Sequence, residues 1–228
     1  MTTAGFYYIE ATAFSNNCSS GIVQDDGDYQ LWVSVQPTAT PYSTTFDYDV
    51  GDGALTDAGR VTLTTVLGST LTGGAAAEIL LAGTGNDTLN GGAGNDVLMG
   101  GAGSDNLTGG TGSDVFKWVL ADRGTPGSPP TDTVTDFINT PGGDQLDLRD
   151  LLSGENSGNL SNYLHFTTNS GNTTIQISST GAFSSGFSGL LVDQVVQLTG
   201  VNLVGGFTTD AQVIADLLNR GKLVTDGP

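Results

Sequence analysis

The chain has 228 residues, 35 of them Gly, and its 24 acidic against 6 basic residues give a formal net charge of −18. The few cations, scattered as Arg60, Lys117, Arg123, Arg149, Arg220 and Lys222, exclude a nucleic-acid interface, which needs a basic patch. No apolar run reaches a membrane span, Met1 to Glu10 lacks the order of a cleavable signal, and the lone Cys18 cannot close an internal disulfide.

Residues 1–66 read as strands, because Phe6–Ala13, Tyr29–Val35 and Arg60–Val66 are rich in aromatic and β-branched side chains. The phrases AGFYYIEATAF and DDGDYQLWVSV resemble the closing strands of small β-sandwich modules in secreted bacterial proteins. TTFDYDVGDGALTDAGRVTL resembles the end of an Ig- or cadherin-like repeat. Neither covers a whole module, so a longer parent protein is expected. Two acidic groups here, Asp47, Asp49 and Asp52 and then Asp25, Asp26 and Asp28, suit either a cation site or exposed turns.

The central stretch repeats every nine residues: AGTGNDTLN from Ala82, GGAGNDVLM from Gly91, GGAGSDNLT from Gly100 and GGTGSDVFK from Gly109. One period earlier, GGAAAEILL from Gly73 keeps the glycines but puts Glu78 in place of Asp, and one period before that only Leu71 stays in phase. The first six positions are too Gly-rich for a helix and suit a tight turn. Positions seven to nine make a minimal strand whose eighth residue is always apolar: Leu80, Leu89, Leu98, Leu107 and Phe116. Two units then form one coil of a right-handed parallel β-roll, with Asp87 above Asp105, Asp96 above Asp114 and Glu78 beneath Asp96. Stacked like charges need a cation between them, and carboxylates with glycine carbonyls suit Ca²⁺ better than Mg²⁺ or Zn²⁺. The excess of Asp fits this: 21 of the 24 acids are Asp, and only Glu10, Glu78 and Glu155 are Glu. A disordered Gly/Asn/Asp linker is the alternative for low complexity, but it does not hold an apolar residue in phase over four strict units.

Residues 82–117 resemble the hemolysin-type calcium-binding repeats of RTX proteins. That resemblance implies that turn carbonyls and the sixth-position Asp ligate several Ca²⁺ ions. Carried over by position, Gly83, Gly85 and Asp87 face Gly100, Ala102 and Asp105, while Gly92, Gly94 and Asp96 face Gly109, Thr111 and Asp114.

After the array, TDTVTDFINTPGGDQLDLRDLL from Thr131 to Leu152 is similar to the segment that follows RTX arrays in type I secretion substrates. Val134 and Phe137 read as a short strand, and Pro141–Gly142–Gly143 as a turn leading to Leu146, Leu148, Leu151 and Leu152. The resemblance makes Asp132, Asp136 and Asp144, with Asp147 beside them, candidate Ca²⁺ ligands; ordinary turn chemistry is the other reading. Tyr163–Thr168 and Thr173–Ser178 alternate around Asn169–Ser170–Gly171–Asn172 as a hairpin, and Val192–Leu198 offers a third strand. His165, the single histidine, reads as a strand side chain. Thr209 and Gln212 form a capping box for a helix with Val213, Ile214, Leu217 and Leu218 on one face and Gly221 closing it. Arg220 and Lys222 stand where a helix dipole favours cations. This end resembles the uncleaved C-terminal signal of type I secretion, in particular the C-terminal domain of very long bacterial adhesins.

The expected fold is mainly β, with a β-sandwich-like segment over 1–66, an RTX β-roll over 67–118 and a β-rich secretion domain with one helix over 119–228. The expected function is non-enzymatic: a secreted, monomeric calcium-binding module at the end of an adhesin. Its expected partners are the ABC transporter, membrane fusion protein and outer-membrane channel of type I secretion, with room for a cell-surface ligand. An RTX tail on a secreted protease or lipase is the alternative, although the chain has no H-E-x-x-H and no G-x-S-x-G. Ice binding through Thr/Asn rows is a third reading, set against the interruptions expected at Val97 and Met99 and the small area of the roll.

Overall fold

The computed structural model describes residues 68–226 throughout and, before them, the backbone of four strands; nothing else in 1–67, nor 227–228, is among the described residues. β1 (Ile9–Ala11) pairs antiparallel with β2 (Leu31–Val33), and β3 (Ser43–Gly51) with β4 (Thr56–Thr64). Asp25, Asp26, Asp28 and Asp52, and the side chains of Asp47 and Asp49, fall outside the described residues.

The nine-residue period becomes a strand every half coil: β5 (Thr70–Thr72), β6 (Ala77–Leu81), β7 (Thr88–Ala93), β8 (Val97–Met99), β9 (Asn106–Thr111) and β10 (Val115–Lys117). Successive strands alternate between two parallel sheets. One stacks β4, β6, β8 and β10, with Leu80 opposite Leu98 and Leu98 opposite Phe116. The other stacks β5, β7 and β9, with Leu71 opposite Leu89 and Leu89 opposite Leu107. Position eight is the inward one in each strand, and Leu80, Leu89, Leu98, Leu107 and Phe116 have no exposed surface. At roughly 2 kcal/mol for each fully buried side chain of this size, the five form the main apolar contribution of the array.

The roll does not end at Lys117. β11 (Thr131–Val134) lies parallel on β9 with Val134 opposite Leu107, and β12 (Gln145–Asp147) lies parallel on β10 with Leu146 opposite Phe116. The 118/119 boundary read from the sequence therefore marks no break in either sheet. It marks a change of spacing, because the loops joining the coils lengthen. Trp118, Phe137, Leu148 and Leu151 fill the wider core that results.

Beyond these strands the pattern turns antiparallel on one side. A hairpin of β13 (Leu164–Asn169) and β14 (Asn172–Ile177) turns through Ser170 and Gly171, whose φ values of 53° and 85° fit a two-residue hairpin turn. β15 (Gln194–Leu198) is antiparallel to β14 and parallel to β11, so it joins the hairpin to the roll. The helix α1 (Asp210–Asn219) buries Val213, Ile214 and Leu217 against this core. Its cap differs from the expected reciprocal pair. Thr209 Oγ1 accepts from Gln212 N–H at 3.4 Å, but Gln212 Oε1 accepts from the N–H of Thr208 (2.9 Å) and not from that of Thr209. The last strand, β16 (Leu223–Val224), returns to β12 with Leu223 opposite Leu146.

Candidate metal centre

The turns between strands stack into two columns, one along each edge of the roll. In one column Asp87 Oδ1 accepts a hydrogen bond from Ser69 N–H, and Asp105 Oδ1 accepts one from Asp87 N–H (2.8 Å). In the other, Asp96 Oδ1 accepts from Glu78 N–H (2.8 Å) and Asp114 Oδ1 from Asp96 N–H (2.9 Å). Each bond joins residues eighteen apart, the spacing of two repeats. Position five adds a clamp: Asn86 Oδ1 accepts from Ser104 N–H and Asn95 Oδ1 from Ser113 N–H, both at 2.9 Å.

The second oxygen of each repeat Asp is different. Asp87, Asp96, Asp105 and Asp114 are 0–2 % exposed, and their Oδ2 atoms are buried without a hydrogen-bond donor. An ionised oxygen in that position loses its hydration and gains nothing in return, which is strongly unfavourable. The acidities record this. Burial, followed by the neighbouring Asp114 and Glu78 charges, pushes the Asp96 carboxyl up to about 6. Burial, followed by the charges of Asp87 and Asp122, likewise pushes Asp105 up to about 6. Asp87 and Asp114 are raised as well, chiefly by burial.

The glycines leave space for main-chain oxygens beside these carboxylates. Gly103 has φ +143°, and a Cβ there would collide with the carbonyl of Gly85; the carbonyls of Gly92 and Gly94 stand in the same relation to Gly110 and Gly112. A Cβ on Gly100 or Gly109 would strike the carboxylate of Asp105 or Asp114 in its own unit. Three other expected oxygen donors each take one inter-coil bond: Gly83 O from Ala102 N–H (3.0 Å), Ala102 O from Gly85 N–H (2.7 Å) and Thr111 O from Gly94 N–H (2.9 Å). Each carbonyl keeps a second lone pair. Among the described residues no three acidic, His or Cys side chains converge on one point, so a cation site here must recruit these backbone oxygens. Hard oxygens, paired carboxylates and buried orphan atoms fit a Ca²⁺ ion; nitrogen and sulfur ligands are lacking.

The acids expected after the array occupy a different chemistry. Asp132 continues the first column and its Oδ1 accepts from Asp105 N–H (2.8 Å), but its Oδ2 accepts from Trp118 Nε1 (2.6 Å) and Gln194 Nε2 (2.7 Å). Burial pushes this carboxyl up to about 7 despite those donors. Asp144 continues the second column, with Oδ1 on Asp114 N–H (3.0 Å) and Oδ2 on Ile138 N–H (2.7 Å). Asp136 takes the N–H groups of Gly109 and Gly110 at 3.0 and 2.8 Å. None of the three leaves an oxygen without a protein donor, unlike the repeat acids. Asp147 is buried, which alone would raise its pKa, but Arg149 and Lys117 outweigh burial and hold it below the ordinary value.

Two further residues bear on the columns. Asp122, which sequence reasoning passed over because it lies in no repeat, is 6 % exposed; its Oδ2 accepts from Val119 N–H (2.8 Å), and burial pushes it up to about 6. Lys222 is 1 % exposed, and its Nζ donates to the carbonyls of Asp144 (3.0 Å) and Ile138 (3.2 Å). Arg220 pairs with Asp216 and donates to both Asn139 oxygens. These two cations therefore tie the chain's last segment to the turn over 138–144, a larger role than the helix-dipole contact expected of them. The single histidine is a strand side chain, with Nδ1 2.9 Å from Asp210 Oδ2 and its ring stacked on Phe187.

The family model of the RTX calcium-binding nonapeptide repeat (4 copies) matches residues 72–107 and, one unit on, 81–116. No curated protein sequence matches the chain. Two solved structures, both solution structures from the Azotobacter vinelandii mannuronan C5-epimerase, are similar. The AlgE6R3 subunit is 26 % identical, covering 70 % of this chain and 81 % of its own at a TM-score of 0.45. The AlgE6R2 subunit is 25 % identical, covering 72 % and 94 % at a TM-score of 0.48. The array is a set of RTX calcium-binding repeats, folded as a β-roll.

Proposed function

We propose that the chain is a non-enzymatic, extracellular module that stays unfolded inside the cell, folds on Ca²⁺ after type I export, and ends a large adhesin. The observation behind it is the four buried Oδ2 atoms without donors, all on repeat aspartates. When bound, Ca²⁺ supplies the positive charge that makes the stacked carboxylates compatible. The residues supply the rest: paired Asp side chains and glycine turns hold oxygens at a fixed spacing, and the leucine stack closes only when the turns close. In scarce Ca²⁺ the acidic array repels itself, which keeps it extended for a narrow channel. In free Ca²⁺ at about ten times Kd, each site adds about 1.4 kcal/mol, so a few sites rival the stability of a small domain.

No helix among the described residues is long and apolar enough to cross a membrane, which is compatible with export. Chelation tests the calcium step: EDTA is expected to abolish the β-sheet circular dichroism of residues 73–150, and a spectrum unchanged by EDTA overturns the reading. Co-expression with a type I transporter, its fusion protein and its channel tests export. Deleting 207–228 is expected to leave the chain in the cytoplasm, and undiminished export of that deletion removes the secretion role.

A further inference from the structure

The outer face of the sheet built from β5, β7, β9, β11, β15, β14 and β13 is chemically unlike the rest of this acidic chain. Strand register lines up one residue from each strand: Thr70, Thr88, Asn106, Thr133, Gln197, Thr174 and Thr167. On the first six of these strands the neighbours along the strand are buried, and on β13 Phe166 is buried beside Thr167, so the row points outward. A second row begins Thr72, Asn90 and Thr108, and Thr108 Oγ1 meets Thr135 Oγ1 at 2.7 Å. At about 4.8 Å per strand the first row spans about 29 Å. Val97 and Met99 do not interrupt it, because β8 belongs to the opposite sheet.

Two properties set this face apart. No Asp, Glu, Lys or Arg takes an outward position on its seven strands, and His165 is its one titratable group, whereas a protein surface is ordinarily about a quarter to a third charged. None of the seven side chains in the first row makes a hydrogen bond within the described residues, while Thr173, Asn172 and Asn202 nearby are all engaged. At the corner beyond β13, Phe187 is 43 % exposed and lies over His165 with ring centroids 3.8 Å apart, offering an apolar platform beside the hydroxyls.

We propose that this face binds an uncharged polysaccharide. Sugar hydroxyls donate and accept, as Thr hydroxyls and Asn and Gln amides do, and the C–H face of a sugar ring suits an exposed aromatic. The neutrality of the face admits such a chain, whereas a polyanion meets the field of an acidic molecule, whose formal charge of −18 bound Ca²⁺ reduces in part. Mixed Thr, Asn and Gln lengths favour a flexible chain over an ice plane, which needs side chains of equal reach.

Native gels cast with hydroxyethyl cellulose, laminarin or dextran, run in millimolar Ca²⁺, test this, with hyaluronan, which Ca²⁺ does not gel, as the polyanion. Retardation by at least one neutral polymer and none by hyaluronan is expected. The double variant T133E/T174E, whose calcium titration and circular dichroism report its folding, is expected to bind about tenfold more weakly or less. T88E, two strands away, gives the same reading should the double variant fail to fold. Absence of retardation by all three neutral polymers, retardation unchanged in folded variants, or preference for hyaluronan overturns the proposal. Ice-crystal shaping without any glycan retardation overturns it as well.

Discussion

In the repeat array, Asp87, Asp96, Asp105 and Asp114 each give one carboxylate oxygen to a main-chain amide and bury the other without a donor. Beyond the array, Asp132, Asp136 and Asp144 have both oxygens on donors supplied by the chain. Asp132 and Asp144 even occupy the same register position as the repeat acids. The difference lies in what faces them. A tight glycine turn leaves the second oxygen of a repeat Asp without a donor, whereas the outer coils bring further N–H groups, the Trp118 indole and the Gln194 amide to the carboxylates and the Lys222 ammonium to the Asp144 turn. The same acidic column thus depends on an external cation in its middle and on the protein itself at its end.

Substitution at matched positions breaks the comparison most sharply. Asp105→Asn removes a carboxylate with an orphan oxygen, and calorimetry is expected to lose at least one Ca²⁺ together with the calcium-driven folding of its neighbours. Asp132→Asn turns an NH₂ group toward either Trp118 Nε1–H and Gln194 Nε2–H or Asp105 N–H, a donor against a donor. It is expected to cost about 2–3 kcal/mol while the ion count stays unchanged. Equal ion loss from both variants would erase the distinction.

Acidity sharpens it next. The Asp96 and Asp105 carboxyls stand at about 6 in the fold against an ordinary 3.8, so the metal-free fold holds protons more tightly than the unfolded chain does. Their contribution to metal-free stability is fully present below about pH 4 and is lost as pH rises through about 6. Ca²⁺ takes the carboxylate form, so its affinity runs the other way, rising between pH 5 and 7 with release of protons. Calcium titrations at pH 5, 6 and 7.5 in buffers of different ionisation heat measure both trends, and an affinity flat across that range would contradict the burial of these groups.

The array was legible in the sequence because its chemistry is local. A nine-residue period with an apolar eighth position fixes which leucines point inward, and the spacing alone puts Asp87 over Asp105. The continuation past Lys117 was hidden by loop length, since the column bonds now join residues 27 and 30 apart instead of 18. A signal for it was present. Asp132–Thr133–Val134 and Asp144–Gln145–Leu146 repeat the Asp–x–apolar end of the four strict units, the first without their glycines and the second with Gly142 and Gly143 just before its Asp. The donors of Asp132 could not be read, because Trp118 and Gln194 reach it from 14 and 62 residues away. The uncharged face escaped for a related reason. Its rows run across strands, so Thr88, Asn106, Thr133 and Gln197 become neighbours only through register.

Lys222 offers the smallest and most specific test of the contrast. Its ammonium is buried at the end of the second column, where burial lowers its pKa against the opposing pull of Asp144. It bonds the carbonyls on either side of the Asp144 turn, so it does there, from inside the chain, part of what Ca²⁺ does between repeat turns. Lys222→Met keeps the apolar stem in place and leaves two carbonyls without their donor, a loss of about 1–3 kcal/mol. Because the donor is internal, chemical denaturation at saturating Ca²⁺ is expected to show this loss for the region over 119–226, while the calcium titration keeps its ion count. Loss of a bound ion in the variant would mean instead that the end of the column depends on the same external cation as its middle.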